Sequence, residues 1–114
     1  MILDEIETAR RAYYFLKSYK SLLTLAERKN DQGAFKDKAV ELVTEIEAYR
    51  DNLDEVKREI FANLFTTKSR NRKTLAQLYK IFYIDKSEYE RLKMEFLLDF
   101  AKSYREGALL VYKT

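Results

Sequence analysis

The sequence predicts an all-α fold, in which an N-terminal antiparallel helical hairpin is followed by a three-helix helix-turn-helix unit. Three observations carry this expectation. Apolar residues recur at steps of three and four along most of the chain, the signature of helix faces turned toward a core. There is no proline and only two glycines, Gly33 and Gly107, so folds that need many tight hairpin turns are poorly served. Finally, 46% hydrophobic and 36% charged residues make the chain too apolar for disorder and rich in helix formers. With 114 residues it fits one domain with a modest core. Within it, residues 1–50 are expected to form the hairpin and residues 53–114 the helix-turn-helix unit.

The first helix is expected from Leu3 to about Lys29, with Ile6, Ala9, Tyr13, Leu16, Tyr19 and Leu23 forming one stripe down seven turns. Asn30-Asp31-Gln32-Gly33 then reads as a turn. A second helix from Phe35 carries Ala39, Val43, Ile46 and Tyr49 on one face, a natural antiparallel partner for the first. Asn52 is placed to cap a third helix, Leu53 to about Phe65, burying Val56, Ile60, Leu64 and Phe61. Ser69 or Asn71 precedes a short fourth helix over Thr74–Phe82. Ser87-Glu88-Tyr89-Glu90 reads as a capping box, with Ser87 and Glu90 exchanging side-chain and backbone bonds. The fifth helix follows from Glu88 to about Arg105, burying Tyr89, Leu92, Phe96, Leu97 and Phe100, and Gly107 suits its left-handed C′ position. The apolar tail Ala108–Tyr112 is expected to fold back on the core.

The composition also narrows the chemistry. The chain lacks cysteine and histidine, which removes the thiolate nucleophile, the commonest general base and the usual zinc ligands. It contains no P-loop, glycine-rich phosphate turn or nucleophile motif. An enzyme is therefore not expected, and neither is a cofactor. Glu41, Glu45, Asp51, Asp54 and Glu55 suggest a metal or acid/base site only weakly, because carboxylates spread along helix faces usually serve as solvating charge. No apolar run approaches the roughly 20 residues of a membrane span, and the start of the chain is acidic where a signal peptide is basic. These features lead to the expectation of a cytoplasmic protein without a membrane partner.

Charge is unevenly distributed. Residues 1–59 carry 11 basic and 13 acidic side chains, whereas residues 60–114 carry 11 basic and 6 acidic. Between Ile60 and Ile84, Lys68, Arg70, Arg72, Lys73 and Lys80 occur without a single acid, so a polyanion is the leading partner. A helix-turn-helix presents the start of its second helix to the major groove. Here that start would show Lys86, Ser87, Glu88, Arg91 and Lys93, where Arg can read guanine and Glu can accept from cytosine. Lys68, Arg70, Arg72 and Lys73, just before the first helix of the motif, would hold phosphates.

The order Leu75-Ala76-Gln77-Leu78, then Ile84-Asp85-Lys86-Ser87-Glu88-Tyr89-Glu90-Arg91-Leu92-Lys93, closing with Leu97-Leu98-Asp99-Phe100-Ala101-Lys102-Ser103-Tyr104, resembles the ArpU-type phage late-gene regulators. The resemblance spans roughly Leu53 to Tyr112. It implies a helical transcription regulator of phage packaging and lysis genes in a bacterial host, with a DNA-binding half similar to sigma-factor region 4. Ser87, Tyr89, Arg91 and Lys93 match that family's recognition helix. Glu88 and Glu90 depart from it, and Tyr79-Lys80-Ile81-Phe82-Tyr83 stands where a short glycine-containing turn is expected.

Each feature also has a plainer structural role. The basic run can be a solvated loop, and Arg91 and Lys93 can pair with acidic neighbours along the helix. Most of the nine tyrosines and seven phenylalanines fall on helical stripes, which favours core packing over stacking on single-stranded nucleic acid. The expected partner is double-stranded DNA, bound by a homodimer if two half-sites are read. The rival is a module that grips RNA polymerase or another regulatory protein, which the acidic Glu88 and Glu90 would suit.

Overall fold

Asp4 opens the first helix by accepting the amide of Glu7 at 3.1 Å, which satisfies one of the free N–H groups of that turn. The structure, a computed structural model, describes residues 2–28 and 33–113 and is mainly α-helical. In chain order it contains β1 (Ile2–Leu3), α1 (Glu5–Lys17), α2 (Tyr19–Ala26), α3 (Ala34–Asp51), α4 (Glu55–Phe61), α5 (Leu75–Phe82), α6 (Lys86–Ser103) and β2 (Tyr112–Lys113). A π turn at Ala62–Thr66 continues α4, and 3-10 turns lie at Ser69–Asn71 and Tyr104–Glu106. The turn expected at Asn30-Asp31-Gln32 lies outside the described residues.

The single seven-turn helix expected from Leu3 to Lys29 is instead two helices that meet at Ser18. The Ser18 hydroxyl and amide both bond back to the Phe15 carbonyl, and this local competition breaks the regular ladder. The two segments then serve different neighbours: α2 packs along α3, while α1 packs along α6. The residues expected to form one hairpin therefore divide between two partners. Ile6, expected on the buried stripe, is 67% exposed, whereas Ala9, Ala12, Leu16 and Tyr19 are buried.

Three helix starts also differ from expectation, and in each case a neighbouring side chain wins the cap. Asp54, not Asn52, opens α4 by accepting the Lys57 amide at 3.0 Å, while Asn52 closes α3 by donating to the Ala48 carbonyl. Thr74 opens α5 in a reciprocal capping box with Gln77, in place of Ser69 or Asn71. Asp85 opens α6 by accepting the Glu88 amide at 2.8 Å, so Ser87 lies inside the first turn and the expected Ser87/Glu90 box is not formed. At Asp54 and Asp85 the winning cap is a carboxylate, a stronger acceptor than the amide or hydroxyl it displaces and a complement to the helix dipole, whereas Thr74 prevails through its reciprocal bond with Gln77.

One aromatic-rich core joins the two halves of the chain. Phe61 sits edge-on to Phe65 and Phe96, and Tyr49 to Phe100, with Leu16, Ile46, Ile60 and Leu78 fully enclosed around them. The tail folds back as expected. Leu109 and Leu110 pack on the core, and β2 pairs antiparallel with β1, with Ile2 opposite Lys113 and Leu3 opposite Tyr112. Buried Thr8 fastens this closure: its hydroxyl donates to the Val111 carbonyl and accepts the Val111 amide. The expected helix end at Arg105 is also revised. α6 stops at Ser103, and Arg105, Glu106 and Gly107 all adopt left-handed backbone. Arg105 then donates to both Glu41 and Glu45 on α3, so those carboxylates serve as a clamp on the C-terminal turn.

Candidate nucleic-acid interface

The basic segment is held from beneath by one side chain. The π turn after α4 brings Asn63 to an 8% exposed position in the middle of an apolar run. From there its carbonyl oxygen accepts the Lys73 amide at 2.7 Å and its amide donates to the Lys73 carbonyl at 3.0 Å. This pair of hydrogen bonds to the backbone pins the far end of the loop. Inside it, the 3-10 turn is closed by Asn71 donating to Lys68 and Arg72 donating to Ser69. Lys20, on α2, donates to the Ser69 hydroxyl at 3.3 Å.

Lys68, Arg70, Arg72 and Lys73 are all exposed, and among the described residues none of them makes an ion pair. Four unpaired cations on a pinned loop form a ready site for phosphate oxygens. Arg72 also lies close enough to Tyr89 on α6 to favour its phenolate. Burial, helped by Glu90, Tyr79 and Tyr13, outweighs this and pushes the Tyr89 hydroxyl up to about 12. Tyr89 packs edge-on to Tyr79 at 5.8 Å, which ties α5 to α6 beside the loop.

The link between α5 and α6 is three residues long. Tyr83 closes α5 in the left-handed conformation (φ 54°) with its side chain 95% exposed, so it occupies the conformation a turn glycine would take. Ile84 turns inward to the core, and Asp85 starts α6.

The residues expected on the recognition helix separate into two groups. Lys86 and Ser87 are exposed in its first turn. Glu88 and Arg91 face the same side but are engaged with each other: Arg91 forks to Glu88 and Glu95, and Glu95 also receives Lys57 of α4 at 3.2 Å. Lys93 leaves this face. Its ammonium lies 5.4 Å from the centre of the Tyr13 ring on α1, opposite in the helical turn to Arg91. The departure follows from packing, because Lys93 shares the side of α6 that carries Tyr89, Phe96 and Phe100 into the core.

Three contributors to this surface were not singled out from the sequence. Asn63 was detectable as one amide within Ile60-Phe61-Ala62-Asn63-Leu64-Phe65. Lys17 and Lys20 belong to a second acid-free stretch, Thr8 to Ala26, whose apolar periodicity points to helix packing rather than to a charged surface. Among the described residues no group of three acidic, His or Cys side chains is placed to hold a metal. No helix among them is long and apolar enough to cross a membrane. Compared with known proteins, the chain matches no family, no curated protein and no solved structure.

Proposed function

We propose that the protein is a sequence-specific DNA-binding regulator of transcription, in which α5, the three-residue turn and α6 act as a helix-turn-helix. The observation that carries the reading is the loop of four unpaired cations, pinned by Asn63 immediately before α5, with Arg72 close enough to act on Tyr89 of α6. On duplex DNA the loop holds phosphates, while Lys86 and Ser87 reach base edges. Glu88 and Arg91 reach bases only by giving up their mutual ion pair, an exchange that is cheap for exposed groups. The resemblance to the ArpU-type regulators extends the proposal to phage late genes in a bacterial cytoplasm.

Fluorescence anisotropy with promoter-like and scrambled duplexes across a salt series tests this reading. Preferential binding whose affinity falls steeply with salt is expected. Indifference to every duplex at low salt removes the proposal.

A second reading is favoured by one observation. Leu75, Ile81 and Tyr83 are exposed around α5, beside an α6 start whose arginine is already paired. Such a surface suits RNA polymerase or another regulatory protein. Arg70→Glu with Arg72→Glu separates the two readings: DNA binding is lost under the first, whereas capture of a protein partner through α5 persists under the second.

A further inference from the structure

The break at Ser18 gives a charged surface to a helix that was expected only to pack. Lys17 ends α1 and Lys20 lies in the first turn of α2, both exposed and, among the described residues, free of ion pairs. Lys20 touches Ser69, the residue flanked by Lys68 and Arg70. Lys17 stands 5.4 Å from the centre of the Tyr13 ring, the same ring that carries Lys93 at 5.4 Å. Tyr13 in turn packs edge-on to Phe65 at 5.5 Å, in the π turn that leads into the basic loop. These contacts link cations from three separate parts of the chain: the α1–α2 break, the loop and α6. The chain itself carries no acidic residue between Thr8 and Ala26 or between Ile60 and Ile84, and Glu90 of α6 is the acid that lines the same groove as Tyr13 and Lys93.

We infer that Lys17 and Lys20 form a second phosphate-contact site, which extends the DNA-binding surface from the 68–73 loop across the α1–α2 break. The inference rests on the DNA-binding reading. It assigns to the N-terminal helices a direct role on the nucleic acid. One cation joined to the loop through Ser69 (Lys20) and one held over the Tyr13 ring (Lys17), three residues apart across the break, suit a rigid, repeating anion such as the duplex backbone. Tyr13 supports the Lys17 stem and Ser69 holds the Lys20 ammonium, so both groups lose little freedom when they meet phosphate.

The test compares double variants with the unmodified chain on one duplex across a salt series, beginning with Lys17→Ala/Lys20→Ala, Arg70→Ala/Arg72→Ala, and Lys36→Ala/Lys38→Ala as a charge-matched control on α3. Each lost phosphate contact lowers the slope of log K against log salt by about 0.9, so the Lys17/Lys20 pair is expected to lower it by about 1.8. Affinity should fall on the order of tenfold per lysine near 0.1 M salt, while the α3 control keeps the original slope. Lys17→Gln/Lys20→Gln, which keeps much of each side-chain stem, should reproduce the loss with an unchanged melting curve. If the Lys17/Lys20 variants bind like the unmodified chain while Arg70→Ala/Arg72→Ala binds more weakly, this inference fails and the DNA-binding reading stands. If the unmodified chain binds no duplex at any salt, both fail.

Discussion

Replacing Asn63 by Ala removes both bonds that pin the basic loop, and its effect can be worked from the structure. The bonds are 2.7 and 3.0 Å long and come from a side chain that is only 8% exposed. Each contributes about 1 kcal/mol net, so the pair is worth about 2 kcal/mol. Lys73 itself is exposed, and its freed amide and carbonyl can turn to water, which spares the larger penalty of a buried unsatisfied group. For a domain of this size that loss lowers Tm by roughly 4–10 °C. Urea unfolding followed by circular dichroism measures the global part. Amide hydrogen exchange at Lys73 measures the local part, because the loop should open without unfolding the core. DNA affinity should weaken as well, since the cations no longer share one fixed geometry. An Asn63→Ala protein with the original urea midpoint and an equally slow Lys73 amide would refute the pinning role.

Three further outcomes follow from single contacts. Tyr83→Gly should raise stability by about 0.5–1 kcal/mol, because the left-handed backbone at φ 54° is costly for tyrosine and its exposed ring has little packing to lose; a lower Tm would count against this. Tyr49→Phe keeps the ring against Phe61 and Phe100 but loses the one hydroxyl proton shared between Asp99 and the Phe96 carbonyl, so a loss of about 1–2 kcal/mol in urea unfolding is expected. The third outcome concerns alkaline pH. Burial first, then bonds or charges from neighbouring acids, holds Tyr19 and Tyr89 at about 12 against an ordinary 10.0, and raises Tyr49 further still. The unfolded chain therefore ionises before the folded one. The stabilisation is complete below about pH 10 and is lost as pH rises toward 12 and beyond, so the urea midpoint should fall between pH 9 and pH 11.5. Equal midpoints at those two values would contradict it.

The cores of α3 and α6 were legible because their stripes are regular: Ala39, Val43 and Ile46 on one, and Tyr89, Phe96, Leu97 and Phe100 on the other, are buried as the spacing predicts. Helix boundaries were less legible. At Asp54, Thr74 and Asp85 the true cap has a plausible rival two to five residues away, and short polar side chains compete closely at such sites. The break at Ser18 was hidden for a different reason. Tyr13, Leu16, Tyr19 and Leu23 keep helical spacing through it, so periodicity cannot tell one helix serving one partner from two helices serving two.

The candidate site divides in the same way. The acid-free composition of residues 60–84 is a property of the chain, and it placed Lys68, Arg70, Arg72 and Lys73 on a common basic loop without reference to any fold. Lys93 and Arg91 were grouped by nearness in sequence, yet burial of one side of α6 sends Lys93 to Tyr13 and leaves Arg91 outside, tied to Glu88 and Glu95. Asn63 and Lys20 act on residues 10 and 49 positions away. Local periodicity and composition were enough to set the helical class, the main core stripes and the location of unbalanced charge, because none of these needs a contact between distant segments. Tertiary structure alone decided which cations share a surface, which are spent on ion pairs and what holds the loop, because those outcomes depend on contacts between segments distant in the chain.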